Sequence, residues 1–412
     1  MPGSETQLIG HRVLRPLEHC LAELHRLPAH GNRSLFADHL LVAHLVAFLS
    51  PALKSLRRIE EVFNHTAARK RFGLPRVPRS TLSDAQAVFD PALLDPIVAD
   101  LRGRVPVLPH DPQLDALLKI LVAVDGSFFV MAPRVVWALY NKPNAEVAPP
   151  EGAGGTRRKN NTGRKGHVRT DVHFNVMCGV PEQAILTDGR TPEYQTLMEH
   201  LLPGRFYVLD RAYHCYQMMA DIIDAESDFL VRLRGDMQFE IIEEHALSGA
   251  DRLAGVVSVQ TVHAKGHRGR RALDTTPLKL VCIGLPDGGQ MRLLTNRSDL
   301  DADLIGTVYR YRWQVELFFR WLKCLVNFRH FFSESPQGVA LQIGAAVIGT
   351  LLIALVIQDR PSSYDWSMMT NVMSGLIPLD EETLQIMAAR REQRARAAAW
   401  QKAYRARQKK TR

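Results

Sequence analysis

The segment Val308–Val326, VYRYRWQVELFFRWLKCLV, restricts the fold more than any other stretch: it is apolar almost all round, yet carries one carboxylate and three hydrogen-bond donors in a line. At about 100° per helical residue, Tyr309, Arg312, Glu316 and Lys323 fall near roughly 0°, 300°, 340° and 320°, one narrow stripe. Tryptophan, phenylalanine, leucine and valine fill the rest of the circumference. The pattern predicts one helix over 308–326, packed inside a domain. A carboxylate there is costly unless it meets a cation, a metal or hydrogen-bond donors. Two readings stand side by side: an internal ion-pair stripe of Glu316 with Arg312 and Arg320, or a site that holds a ligand.

Upstream, two apolar runs each end in an aspartate. LLKILVAVDGSFF (117–129) and GRFYVLDRAY (204–213) read as buried strands, with Asp125 and Asp210 at their ends. Taken alone, an aspartate after a strand is commonly a turn residue or a helix cap. Between these runs the pattern alternates strands (around 171–178 and 183–187) with helices (135–140 and 193–202).

The spacing Tyr-x2-Arg-x3-Glu-x6-Lys, together with Asp210 in an Asp-x-x-Tyr context, resembles the signature of the insertion sequence four family of bacterial transposases. That resemblance covers roughly Val122 to Ile357. It implies an α/β fold: a ribonuclease H-like catalytic core interrupted by a β-rich insertion, with an all-helical N-terminal domain. It also implies that Asp125, Asp210 and Glu316 are catalytic metal ligands, and that Tyr309, Arg312 and Lys323 hold phosphates of the DNA end. Three carboxylates converging on all-oxygen ligation favour Mg2+ or Mn2+, and a pair of such ions suits in-line phosphoryl displacement. The expected activity is DNA cleavage and strand transfer of an insertion sequence. The chain departs from members that stack a flipped base on a tryptophan of the insertion, because residues 237–297 contain none.

Charge agrees with a polyanionic partner. The chain of 412 residues carries a formal +9 and a pI near 9.4, which favours nucleic acid or an anionic membrane surface. Three basic segments suit phosphate contacts: a loop with Arg157, Arg158, Lys159, Arg164 and Lys165; a turn (264–271) with Lys265, Arg268 and Arg270 between two strands; and the tail from Arg390. Solvated loops and a solvated tail are the plain alternatives. Gly338–Ile357 is long and apolar enough to span a membrane, but it lacks cationic flanks and an aromatic belt, so a core helix is expected. Five scattered cysteines without a CxxC pair fit a reducing cytoplasm, and the N-terminal residues lack a signal-peptide pattern.

The expected organisation is a helical N-terminal domain (1–110), the core's first part (111–236), the insertion (237–297), the core's second part (298–360) and a C-terminal region with a basic tail (361–412). Within the first, the basic segment 68–83 between short helices suits a helix-turn-helix-like DNA module or a plain bundle with a basic face. PSSYDWS (361–367) reads as irregular. The expected partners are double-stranded DNA, as terminal inverted repeats and target, and a second copy in the DNA complex. No membrane is expected, and the location is the cytoplasm at the nucleoid. Another ribonuclease H-like nuclease, such as a resolvase, and an inactive DNA-binding descendant are the competing readings.

Overall fold

The structure, a computed structural model, describes residues 9–27, 35–50, 52–72, 74–131, 135–138, 166–286, 288–324 and 331–410. It divides into two compact units, residues 1–107 with 321–412 and residues 108–320. The second boundary falls inside the segment 298–360.

The first unit begins with α1 (Ile9–Leu14), α2 (Glu18–Arg26), α3 (Ala37–Leu49), α4 (Leu56–Asn64), α5 (Thr66–Phe72), α6 (Arg79–Val88) and α7 (Asp95–Arg104). Ten consecutive residues of α3, Leu40 to Leu49, are buried. Within the segment 68–83, α5 ends at Phe72, residues 74–78 are outside any helix, and α6 starts at Arg79 after Pro78.

The second unit holds α8 (Asp115–Leu118) and one nine-stranded mixed sheet. Its strands are β1 (Leu121–Met131), β2 (Gly166–Asn175), β3 (Val180–Thr187), β4 (Phe206–Leu209), β5 (Asp228–Arg232), β6 (Phe239–His245), β7 (Val256–Ala264), β8 (Leu278–Gly284) and β9 (Gln290–Thr295), in the order β3-β2-β1-β4-β5-β9-β8-β7-β6. β1 to β3 are antiparallel, β4 and β5 run parallel to β1, and β9 to β6 continue the same sheet antiparallel. The strands of 237–297 thus extend the sheet from β5. Helices α9 (Glu193–Glu199), α10 (Tyr216–Asp224), α11 (Gly249–Ala254) and α12 (Gly266–Leu273) join strands of this sheet. Between 135 and 140, the described part is a short 3-10 turn, Val136–Ala138.

Helix α12 corrects the expected basic turn at 264–271. Gly266, at φ +80°, redirects the chain after β7, and the following residues close into a helix. Gly269 packs on Ala264 and Tyr216 while Leu273 is buried, so one face is anchored. Arg270 pairs with Glu240 at 3.4 Å.

The expected helix 308–326 is two helices, α13 (Ala302–Tyr311) and α14 (Trp313–Cys324); residues 325 and 326 lie outside the described part. At the junction the Arg312 amide bonds back to Tyr309 (3.1 Å) and the Val315 amide to Arg312 (3.2 Å). One tight turn of three-residue bonds therefore replaces the regular ladder. Trp313 ends up 47% exposed, whereas Val315, Phe318 and Phe319 are buried.

The first unit resumes with the end of α14 and continues through α15 (Pro336–Ile357), α16 (Ser363–Ser374) and α17 (Glu381–Lys410). Among the described residues α15 is the one helix long and apolar enough to cross a membrane, and 78% of its apolar stretch is buried inside the protein. It packs against α3, α6, α7 and α16. Gly349 permits the approach of α3, since a Cβ there would sit 2.6 Å from the Phe48 ring. PSSYDWS is not irregular: Ser362 and Asp365 form a reciprocal capping box that starts α16.

His44, inside α3, is 3% exposed; its Nε2 lacks a hydrogen-bond partner and its ring meets Phe332 edge-on at 5.9 Å. Burial pushes its pKa down to about 4, against about 6.5 in an unfolded chain. The unfolded chain therefore binds the proton first, and the stability from neutral His44, fully present above about pH 6.5, is lost as pH falls toward 4. The loss is on the order of 3 kcal/mol over that window. His44→Leu should show a shallower decline in melting temperature between pH 7 and 4.5 than the unmodified protein. Parallel declines would disprove the assignment.

Candidate active site

β1 and β4 set the geometry. Their parallel register runs Leu121 with Phe206, Val122 with Tyr207 and Ala123 with Val208. Continued two residues, it brings Asp125 level with Asp210 on the neighbouring strand, and adjacent strands lie about 4.8 Å apart. Asp125 is not at a strand end as expected. β1 runs on to Met131 against β2, while β4 stops at Leu209. The end that matters is that of the β1–β4 ladder, which opens a gap at the level of both aspartates. The Asp210 carboxylate accepts from the Ala212 amide at 2.6 Å, the turn-forming bond expected of an aspartate after a strand.

Alternation along a strand separates the two faces. Val122, Val124, Tyr207 and Leu209 pack on one side with Leu197, Tyr213, Met218 and Met219. Asp125 lies on the other, where Phe174 meets Phe318 of α14 with ring centroids 5.9 Å apart. There the tight turn between α13 and α14 delivers Arg312, only 8% exposed. Its Nη2 pairs with Glu316 at 2.5 Å and its Nη1 lies 3.7 Å from Asp125, so one guanidinium spans both acids. Tyr309 places its ring 5.7 Å from the same guanidinium. Nε and Nη1 of Arg312 are buried without a hydrogen-bond partner.

Burial pushes Asp125 up to about 7; Arg312 opposes the shift, and the negative charges of Asp210 and Glu316 add to it. The acids are therefore electrostatically crowded, with one guanidinium between them. A set of carboxylate oxygens in that state suits a divalent cation, which restores the charge balance the acids lack.

Three residues missed in the sequence lie on the reverse face. β2 carries His167, Arg169, Asp171 and His173 at every second position, and Arg169, Asp171 and His173 are each at most 3% exposed. Polar alternation on a strand buried on both sides was the available signal. Arg169 Nε donates to both Asp171 oxygens at 2.9 Å, and its other nitrogens reach Thr191 O and Thr196 Oγ1. Glu193, first in α9, joins this group across Gly126, where a Cβ would lie 2.6 Å from Asp171 and 2.9 Å from Glu193. Burial raises Glu193 to about 7 and Asp171 to about 6. The hydroxyl of fully buried Tyr213 has no partner; burial, then the charges of Asp171, Glu193, Asp125 and Asp210, hold it in its protonated form.

Lys323 is in the last turn of α14, within the first unit. Lys265, Arg268 and Arg270 lie at α12, and Arg157, Arg158, Lys159, Arg164 and Lys165 fall outside the described residues.

Residues 117–352, more than half of the chain, match the model of the Transposase DDE domain. The chain belongs to that family. Membership of the Transposase DDE domain family implies a divalent-metal requirement, in keeping with the carboxylates above. Two similar proteins are the putative transposase y4zB of Sinorhizobium fredii (strain NBRC 101917 / NGR234), 28% identical over 152 residues, and the probable transposase for insertion sequence element IS5377 of Geobacillus stearothermophilus, 27% identical over 225. The alignments cover 37% and 53% of this chain and 42% and 57% of those proteins, so the chain spans about half the length of the relatives it matches. Among solved structures, the cryo-EM piggyBac transposase synaptic complex with hairpin DNA matches at 11% identity and a TM-score of 0.41, over 92% of this chain and 79% of that one.

Proposed function

We propose that the protein is a DNA transposase of the insertion sequence four type, cutting and joining DNA at the ends of an insertion sequence through Asp125, Asp210 and Glu316. The observation that carries this is the level pairing of Asp125 and Asp210 at the open end of the β1–β4 ladder, with Arg312 linking Asp125 to Glu316. The strand order β3-β2-β1-β4-β5, with β4 and β5 parallel to β1, supports a ribonuclease H-like core, and β6 to β9 correspond to the β-rich insertion. On this reading residues 1–110 are a helical, end-binding domain, 111–236 and 298–360 the core, 237–297 the insertion and 361–412 the C-terminal region.

Asp125, Asp210 and Glu316 would hold two Mg2+ or Mn2+ ions. When bound, such ions would supply Lewis-acid activation of a water or 3′-hydroxyl and charge stabilisation at the leaving oxygen. The chain's own contribution is orientation: Arg312, whose Nε and Nη1 make no hydrogen bond, and Tyr309 present donors to a phosphate beside the carboxylates. Lys323, Arg157, Arg158, Lys159, Arg164, Lys165, Lys265, Arg268 and Arg270 hold flanking DNA. The partner is double-stranded DNA, bound by two copies of the chain in the cytoplasm at the nucleoid, with α15 as a core helix rather than a membrane span.

The test uses labelled duplexes carrying the inverted repeats that flank the gene. Cleavage at the repeat boundary is expected with Mg2+ or Mn2+ and absent in EDTA; metal-independent cleavage, or none with either ion, refutes the reading. Lys323→Ala should weaken end binding and flatten its salt dependence by about 0.9 in log–log slope, the contribution of one phosphate contact. A lowered melting temperature with an unchanged slope would assign Lys323 a structural role instead.

A further inference from the structure

Formal charge is distributed very unevenly along this chain. Residues 390–412 hold ten Lys/Arg and one Glu; of the chain's 52 basic and 43 acidic residues, that leaves 42 of each for everything before position 390. The net charge of +9 therefore resides in the last 23 residues, almost all of them in α17.

The beginning of α17 is tied to the first unit. Thr383 and Met387 are buried, Arg391 pairs with Asp359 (3.3 Å) and Asp365 (2.8 Å), and the Arg394 guanidinium lies 5.7 Å from the centre of the Tyr364 ring. Arg391 is the last described side chain of α17 that is not exposed, and Arg394 lies over Tyr364 from an exposed position. Every described side chain from Glu392 to Gln401, and Tyr404, is exposed. The helix nevertheless continues to Lys410, giving about 28 Å of helix beyond the anchor at 1.5 Å per residue.

That arm is chemically specific. Its sole acid, Glu392, is already paired with Arg396 at 2.6 Å. Lys402, Arg405, Arg407, Lys409 and Lys410 follow without a single acid among them. Arg405 with Lys409 is a like-charge pair four residues apart, an arrangement that weakens an isolated helix. Trp400 (66% exposed) and Tyr404 (50%) face solvent and stack at 5.4 Å with planes 12° apart. A helix end whose sequence carries five cations and no acid, beside two exposed and stacked aromatic rings, suits a polyanion.

We propose that residues 392–410 form a DNA-binding arm, in which the cations neutralise backbone phosphates and Trp400 with Tyr404 forms a stacking face for unpaired bases. The arm reaches about eight base pairs at 3.4 Å each, and a helix of this diameter fits the major groove. A membrane surface fits poorly, because residues 392–410 contain no Leu, Ile, Val, Phe or Met to build the apolar face that interfacial helices bury. Pairing with the same helix of a second copy fits poorly for the same reason and adds repulsion. The inference rests on the proposed function only in taking DNA as the partner; it needs neither the metals nor the carboxylates.

The test uses the full chain in EDTA with random-sequence duplex, single-stranded oligo(dT) and vesicles of 30% phosphatidylserine in phosphatidylcholine. Changing Lys402, Arg405, Arg407 and Lys409 together to Gln should cut duplex affinity at low salt by about a hundredfold. It should reduce the log–log salt slope by about 3.6, given about 0.9 per phosphate contact, with the melting temperature unchanged. Trp400→Ala with Tyr404→Ala should weaken oligo(dT) binding about tenfold and duplex binding less than threefold, as a stacking face requires. An unchanged duplex slope in the quadruple variant overturns the arm while leaving the catalytic reading intact. Vesicle binding tighter than duplex binding in the unmodified protein, lost in the same variant, overturns it in favour of a membrane. Arm-dependent DNA binding by a protein that never cleaves DNA upholds the arm and refutes the catalytic reading; absence of any DNA binding by the unmodified protein refutes both.

Discussion

Asp125→Asn should lower metal-dependent cleavage by at least about a thousandfold, roughly 4 kcal/mol of barrier, while leaving DNA affinity within about twofold. The asparagine side chain has the same shape but no charge, so the Gly126 amide keeps an acceptor while a cation loses a ligand. Affinity survives because phosphate contacts by basic residues carry it. The same substitution removes a buried negative charge already crowded by Asp210 and Glu316. In EDTA the variant should therefore melt no lower than the unmodified protein, whereas the rise in melting temperature on adding Mn2+ should shrink. A variant that still cleaves, or whose Mn2+-dependent stabilisation is intact, would remove Asp125 from the site.

The candidate acids are legible in the sequence and the scaffolding around them is not, for identifiable reasons. Asp125 and Asp210 follow near-continuous apolar runs, which are hard to mistake for anything but buried strands. That β1 continues past Asp125 was not legible, because GSFFVM reads equally as loop or strand until β2 is known to pair with it. The stripe Tyr309–Arg312–Glu316 is visible from helical spacing, but the tight turn at Arg312 is not: no proline or glycine marks it, and the contact Arg312 makes there with Asp125 joins residues far apart in sequence. α12 is hidden because the basic segment 264–271 between two strands reads as a turn, whereas Gly266 redirects the chain and Gly269 permits close packing of a helix. Ser362 with Asp365 was a capping box in plain sight within PSSYDWS. The reverse-face group was missed because Arg169, Asp171 and Glu193 come together only when β2 and α9 fold against Gly126.

Gly126 is where that group makes a severe demand on sequence, and Gly126→Ala is expected to be the most damaging single methyl in the second unit. The added Cβ would lie 2.6 Å from Asp171 Oδ1, 2.9 Å from Glu193 Oε1 and 3.1 Å from Arg169 Cδ. Glu193, at the start of α9, is only half-buried, so its side chain can yield. Asp171 does not: it is 1% exposed and held by Arg169 through both oxygens, and Arg169 is itself held by Thr191 and Thr196. Overpacking of this kind costs about 1–3 kcal/mol, and the cost approaches 3–5 kcal/mol if the buried ion pair is forced apart. The strand can relieve the clash by shifting, which moves Asp125, the adjacent residue, relative to Asp210. A displacement near 1 Å suffices for a loss of about a hundredfold in cleavage. Gly103→Ala is the matched control, because a Cβ at Gly103 meets nothing within 4 Å and α7 should tolerate alanine at least as well as glycine. Adding Glu193→Ala to Gly126→Ala should recover only part of the lost stability, since the Asp171 contact remains. If Gly126→Ala instead melts with the Gly103→Ala control and cleaves DNA normally, the reverse-face group does not brace the aspartate strand.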